Sequence, residues 1–447
     1  MAAAIIAALG GCASYRASPL PSRPDLATSL AGLDLTVPSV DGRFPVRKIY
    51  IGQAMTLDEV GVLAILNNPD LKAERGTIGV ARADLLQATL LPNPSVNFQY
   101  GVLLGGPGTT NSVFASLSQD IAAIIARGAR VGAAEAHLGQ VDADQLWREW
   151  QIAQKARQLA VDLYWDGEAI RLVSSERKLI ASEMAEVRRA IAAGNMTLTA
   201  LAPLLTAAAA AEQSLGILRL GQLKNWQALD ALLGLVPQTR FSIAQPTFPA
   251  LPSDPEPLIA VLPEQRPDLA ALRLGYLSAE EDVRAAILGQ FPASSIGPFY
   301  GSDTSKVVSA GPNLTFTLPI FDQNQGNIAK SRATRLLLRE QFQARLDAAV
   351  ANVQALFAQL RGLEADLGPA RKAAAAAASL VRTARTAYAQ GNFDLRSLTD
   401  YETTALERSV QVTAIKRQIG EDRIMIAVEL GLDLPHMRIA LSGTEAR

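Results

Sequence analysis

The chain has 447 residues, of which 49% are apolar and 19% charged, and its formal net charge at neutral pH is −1. That apolar share excludes disorder over most of the length, and the lack of a basic excess excludes a phosphate backbone as partner, so no nucleic acid is expected. One cysteine, Cys12, and two histidines, His137 and His436, are too few for an internal disulfide or for a zinc site of three or four N/S ligands, so neither metal nor cofactor is expected.

The N-terminus opens on an apolar stretch, residues 2–9, followed by Leu9-Gly10-Gly11-Cys12. This tetrapeptide resembles a lipoprotein signal-peptidase box. Small residues before the cysteine let the protease approach the backbone, and the thiol then takes a lipid. The expectation is a cleaved signal peptide over 1–11 and lipidation of Cys12; the competing reading is a lone buried cysteine. Ala13 follows the cysteine, where Asp would signal inner-membrane retention, so the outer membrane is permitted. Residues 12–50, with Pro19, Pro21, Pro24, Pro38 and Pro45, read as an extended arm. Thr56-Leu57-Asp58-Glu59 has the capping-box spacing and starts a helix. After a break at Asn67-Asn68, Pro69 suits the first position of a second helix, running to about Leu91, where Pro92 and Pro94 end it.

Val96, Phe98, Tyr100 and Val102 then alternate with Ser95, Asn97, Gln99 and Gly101, and Val113, Ala115 and Leu117 alternate with Ser112, Ser116 and Ser118. This period of two predicts a pair of strands across a Gly-rich loop. No proline occurs between Pro107 and Pro203, and residues 121–193 read as one helix on the order of 100 Å long at 1.5 Å per residue. Gly194-Asn195 breaks it, and a return helix runs to about Leu235. The proline-rich segment 236–256 is a connector, after which the pattern repeats. Asn68-Pro69-Asp70-Leu71 returns as Arg266-Pro267-Asp268-Leu269, Tyr100-Gly101 as Tyr300-Gly301, and Gly194-Asn195-Met196-Thr197-Leu198 as Gly391-Asn392-Phe393-Asp394-Leu395. The first repeat is placed at 51–235, the second at 257–435 and a loose tail at 436–447.

In the second repeat a strand is expected at 294–300, the weakest of the four because of Gly297 and Pro298. Another is expected at 313–318, where Leu314, Phe316 and Leu318 alternate with Asn313, Thr315 and Thr317. A helix from about Gln325 to Gln390, with an irregularity at Gly368-Pro369, turns at Gly391-Asn392 and returns to about Leu432. No unbroken apolar run reaches 18 residues, so no transmembrane helix is expected.

No catalytic constellation emerges, and the chain is not expected to be an enzyme. Glu280, Glu281 and Asp282 read as a solvated helix face, and His137 as a structural histidine in a long helix. The strands carry the functional signal, since their lengths are near those that cross a bilayer tilted. In lipid every backbone N–H and C=O must be paired, which only a closed barrel achieves for strands. Four strands leave open edges, so several copies must share one cylinder, with the Ser, Thr, Asn and Gln faces lining a wet lumen. The competing readings are a small soluble sandwich with its polar face outward and a soluble periplasmic coiled-coil scaffold.

The paired Pro-Asp-Leu helices, the proline-bounded strand entries, the Leu318-Pro319-Ile320-Phe321 passage into a long helix and the Gly-centred tips resemble TolC-type outer-membrane factors of bacterial efflux and secretion. The resemblance covers about residues 50–435. It implies an α+β, mostly α fold: a homotrimer whose 12-stranded outer-membrane β-barrel, four strands per chain, continues into a long periplasmic α-barrel. It also implies a lipid-anchored outer-membrane location, a periplasmic adaptor (membrane fusion) protein and an inner-membrane RND pump, with passive export of small solutes as the function. A type I secretion duct for polypeptides is the alternative within the same fold. Residues 321–329, Phe-Asp-Gln-Asn-Gln-Gly-Asn-Ile-Ala, and Leu90-Leu91-Pro92-Asn93-Pro94 are similar to the heavy-metal cation branch. By the same resemblance the periplasmic tips, Gly194, Asn195 and Leu198 with Gly391, Asn392 and Leu395, meet the adaptor. Asp400 matches the second acid of the family's aperture pair, while Ser397 holds the place of the first.

Overall fold

The structure, a computed structural model, describes residues 15–36, 49–292 and 294–432. The expected signal peptide, Cys12 and the tail 436–447 lie outside the described residues. The helices longer than one turn among them are α1 (Leu57–Asn67), α2 (Pro69–Thr89), α3 (Ile121–Ala192), α4 (Leu201–Leu232), α5 (Pro267–Leu288), α6 (Gln325–Ala389) and α7 (Leu395–Leu430). The strands are β1 (Ser95–Gly101), β2 (Ser112–Asp120), β3 (Ser294–Ser302) and β4 (Val308–Phe316). Helix, two strands and a long helical hairpin thus occur twice, as the sequence repeat implies.

Local chemistry sets the helix ends. The Thr56 hydroxyl accepts from the Glu59 N–H at 3.3 Å while the Glu59 carboxylate accepts from the Thr56 N–H at 2.8 Å, the reciprocal pair that satisfies two orphan donors of α1. Asn68 ends α1 and caps α2, its side chain accepting from the Leu71 N–H at 3.0 Å, with Pro69 at the first helical position. The 72 residues of α3 give a rod of about 108 Å. Contrary to expectation, α6 passes through Gly368 and Pro369 without interruption. Pro369 and Ala365, whose carbonyl loses its partner, are both exposed, so water takes up the missing bond.

The sheet is antiparallel in the order β1-β2-β3-β4. One expectation holds in part and another fails. β3 is nine residues long, central and fully paired with β4, but its ladder to β2 lapses at Gly297 and Pro298, the residues expected to interrupt it. Pro298 faces Pro312 in register, so two residues without an N–H donor oppose each other. The fourth strand runs over Val308–Phe316, not 313–318. Its start is fixed by the turn after β3, where the Asp303 carboxylate accepts from the N–H groups of Ser305 (2.8 Å) and Val307 (2.9 Å).

The helices pack as one layer. Near the sheet the order across it is α2, α3, α5, α6; toward the far end it is α4, α3, α7, α6. Small residues allow the close approach of α3 and α5: Ala143, Ala270 and Ala271 are buried, and Gly139 and Gly275 sit against Leu274 and Gln140. The apolar clusters are distributed along the length. One joins α1 to α3 and α4 through Val60, Leu63, Leu159, Trp226 and Leu229. Its counterpart in the second repeat joins Leu262 to Val353, Phe357, Ile426 and Leu430. At the first of these clusters the arm and the connector each bridge to the first repeat, Ala27 to Leu235 and Ile243 to Met55. One helical span, Leu198–Leu232, is long and apolar enough to cross a membrane by length and mean hydropathy (1.3), although it holds no unbroken apolar run of 18 residues. Only 22% of that stretch is buried in the chain, and Ile217, Leu220 and Leu223 stay exposed on the free flank of the layer.

Candidate functional site

The strand register sorts the sheet into two faces. On one, Val96, Phe98 and Tyr100 of β1 lie opposite Leu117, Ala115 and Val113 of β2, and Ile296, Pro298 and Tyr300 of β3 lie opposite Leu314, Pro312 and Ala310 of β4. Val96, Phe98, Tyr100, Ile296 and Leu314 are all exposed. A continuous exposed apolar face on a sheet signals a second apolar phase against it. The other face carries Ser95, Asn97, Gln99, Ser116, Asn313 and Thr315. Alternation alone did not reveal that Phe114 and Phe299 lie on this polar face, their rings stacked at 5.8 Å, with Gly301 beneath one and Gly311 beneath the other. β1 and β4 are both edge strands, each with an unpaired side.

At the other end, both hairpins turn through a left-handed glycine, Gly194 at φ 76° and Gly391 at φ 78°. The Asn195 N–H donates to the Ala190 carbonyl (2.8 Å) and the Asn392 N–H to the Ala387 carbonyl (2.9 Å), so the two turns are built alike. They diverge immediately afterwards. Asp394 caps α7, its carboxylate accepting from the Ser397 N–H at 2.9 Å, and this bond holds its carboxyl below the usual range. In the first hairpin Thr197 makes no such cap, and a single 3-10 turn, Leu198–Ala200, intervenes. Met196 of the first tip and Tyr388, Leu395 and Leu398 of the second line one cavity of about 250 Å³, so the structure brings the tips together. Leu198 is 75% exposed, whereas Leu395 is 7% exposed and packs with Val187 and Leu204. Leu395 therefore holds the tip together and does not present a surface. Asp400 is exposed, and its side chain has no hydrogen-bond or ion-pair partner among the described residues; Ser397 is half-buried one turn before it.

Residues 258–431, the span from α5 through α7, match the family model described as outer membrane efflux protein. The chain carries an outer membrane efflux protein domain. Among solved structures the chain is similar to the Campylobacter jejuni CmeC outer membrane channel, with a TM-score of 0.71 at 15% identity over 93% of this chain and 94% of that one. The open-state MtrE outer membrane channel of Neisseria gonorrhoeae gives 0.69 at 17% identity over 85% and 90%. CusC, described with transmembrane channel formation, gives 0.69 at 16% identity over 92% and 98%. At these identities the likeness is one of fold. No curated protein matches the sequence. Although the family model reaches only the second repeat, the structural likeness extends over both, so the whole chain shares the fold of these outer membrane channels: sheet at one end, helical layer along the length, glycine turns at the other.

Proposed function

We propose that this protein is the outer-membrane exit duct of a tripartite efflux system, conducting small solutes passively from periplasm to exterior. One observation carries the reading: a four-stranded sheet with an apolar and a polar face and two open edges, continuous with a helical layer whose two flanks are also open. β1, α2 and α4 lie on one flank, β4 and α6 on the other. The flanks differ, so copies join head to tail and close as a ring. Three copies make 12 strands, with the apolar face toward lipid and the polar face toward water. The ring satisfies every strand edge that a bilayer would otherwise leave unpaired at several kcal/mol per group. A lipid on Cys12 anchors the ring in the outer membrane. A periplasmic adaptor meets the tips at Gly194, Asn195, Leu198, Gly391 and Asn392, and an RND pump in the inner membrane supplies solute and energy. Heavy-metal cations and organic solutes are both compatible with such a wall, because a passive duct needs no ligand set and the pump selects.

Purified protein in planar lipid bilayers is expected to form ohmic pores and to run as a trimer in detergent. A stable lone chain that makes no pores overturns the reading. At the tip, three Asp400 carboxylates brought together would attract cations. Asp400→Asn is expected to lower the cation-over-anion permeability ratio severalfold, read from reversal potentials in a salt gradient. An unchanged ratio removes Asp400 from the constriction.

A further inference from the structure

The two hairpins of one chain meet mainly along one seam, α3 against α7, with Leu395 of α7 also reaching the apolar α3–α4 cluster near the tip. Inside the first hairpin, Val173, Ile180 and Val187 of α3 pack on Leu204 and Leu215 of α4. The seam instead encloses two carboxyl clusters. Toward the tip, Glu176 and Glu183 of α3 share their surroundings with Glu402 of α7, and Arg385 of α6 is the one guanidinium among them, bonded to Glu402 at 2.7 Å. Glu402 is 2% exposed, and its second carboxylate oxygen has no partner; one oxygen of Glu183 is likewise buried and unpartnered. Glu186 of α3 and Tyr388 of α6 complete this group, while Glu212 of α4 is taken up by Arg177 at 2.7 Å.

Nearer the sheet, Asp162 and Asp166 of α3 face Glu421 of α7, with Arg417 between Asp166 (3.2 Å) and Glu421 (3.3 Å). The Asn225 amide of α4 donates to Asp166 at 2.9 Å, Lys416 sits over the Trp165 ring at 5.2 Å, and Gln359 and Gln418 donate to Asp422. Gly420 makes this contact close: a side chain there would meet Val161 at 2.8 Å. Each cluster thus sets four carboxyls against one guanidinium in a partly dry interface, where ionising all of them leaves uncompensated charge.

We propose that the α3–α7 seam is a proton-operated latch: protonation of its carboxyl clusters holds the two hairpins together, and loss of those protons loosens them and frees the tip. Burial and the nearby Glu402 charge push Glu183 up to about 7, and burial and Glu421 push Asp162 up to about 8. Burial also raises Glu176 and Asp166. A carboxyl raised in the closed seam binds its proton more tightly there than when the seam is open. The seam's stability is therefore full below the ordinary carboxylate range and is lost as pH rises through about 7 at Glu183 and about 8 at Asp162. Among the described residues no three acidic, cysteine or histidine side chains are placed as metal ligands would be.

The consequence for conduction rests on the duct reading; the latch itself does not. Amide hydrogen exchange on the full-length protein in detergent, corrected for the intrinsic pH dependence, reads the seam directly. Protection of the segments around Glu183 and Glu402 is expected to fall about tenfold or more between pH 6 and pH 9, one pKa unit being a factor of ten. Glu183→Gln and Asp162→Asn keep the side-chain size and remove the charge, and each is expected to flatten the fall at its own cluster. Wild-type protection that does not change, or variants that lose it as fully as wild type, would overturn the latch. Protection that titrates while pore conductance stays constant upholds the latch but overturns its control of the tip, whereas the absence of pores at every pH counts against the duct alone.

Discussion

Replacing Gly297 with alanine is expected to abolish assembly, although it adds one methyl group. A Cβ at this position would fall on the Leu117 carbonyl of the neighbouring strand, with the Ser118 Cα at 3.1 Å. The obstacle is backbone, so no rotamer relieves it. The β2–β3 ladder already lapses here, between Ser116↔Phe299 and Gln119↔Ile296. Moving the strands apart would break the bonds on both sides of the gap, and in a bilayer each orphaned group costs several kcal/mol. Gly311→Ala is the control on the adjacent strand, since its Cβ would only touch the Phe299 ring at an ordinary 3.4 Å. The expected result is loss of the detergent-resistant oligomer on unheated gels, and of pores in planar bilayers, for Gly297→Ala alone. Wild-type yields of both for that variant would show that the strand approach is not as close as the sheet requires.

The second large effect is expected at Arg266, 3% exposed, where the start of α5 meets the end of α7. Its guanidinium donates to Asp268 at 2.8 Å, to the Glu429 carboxylate at 2.6 Å and to the Glu429 carbonyl at 3.0 Å, and it lies 4.8 Å over the Trp147 ring of α3. Removing it leaves two carboxylates with one ion pair, the longer 3.4 Å contact from Arg345 to Asp268, besides neutral donors at 3.0 Å from Asn352 to Glu429 and from the Leu269 N–H to Asp268. Arg266→Leu is expected to cost about 3–5 kcal/mol, the range for breaking one side of a buried ion pair. The first repeat solves the same joint without charge: the Asn68 side chain donates to the Leu232 carbonyl at 3.1 Å. Asn68→Ala is accordingly expected to cost less, about 1–2 kcal/mol. Urea titration followed by far-UV circular dichroism separates the two. Adding Asp268→Asn to Arg266→Leu should recover part of the loss by removing one stranded charge; no recovery would mean that the cost is packing on Trp147 alone.

Much of the architecture was legible in the residues. The proline-free stretch after Pro107 foretold α3 to within a residue at its far end, because proline costs a helix interior a hydrogen bond and the Gly194 turn supplies the left-handed conformation that ends it. The sheet was read less well. Pro312 hid the first half of β4, and Pro298 made β3 look marginal, because a period-two pattern says nothing about what a proline faces. Facing each other, the two prolines keep the β3–β4 register, while the β2–β3 ladder lapses at Gly297 and Pro298. Among the tip residues, Gly194 and Gly391 stand out as sequence signals. The opposite exposures of Leu198 and Leu395 do not, because equivalent positions in two repeats look alike until the 3-10 turn after Thr197 and the Asp394 cap set them apart.

The order of residues by itself determined the duplicated plan, the helix ends and the two-faced strands, since caps, glycine turns and alternation act over a few positions of chain. Only the tertiary structure decided which helix lies beside which, that Phe114 and Phe299 stack on the polar face, and that Glu183 and Asp162 lose water against α7. These depend on contacts between segments up to some 260 positions apart, Asp162 to Glu421 being the longest, and the desolvation that shifts a carboxyl is a property of the contact.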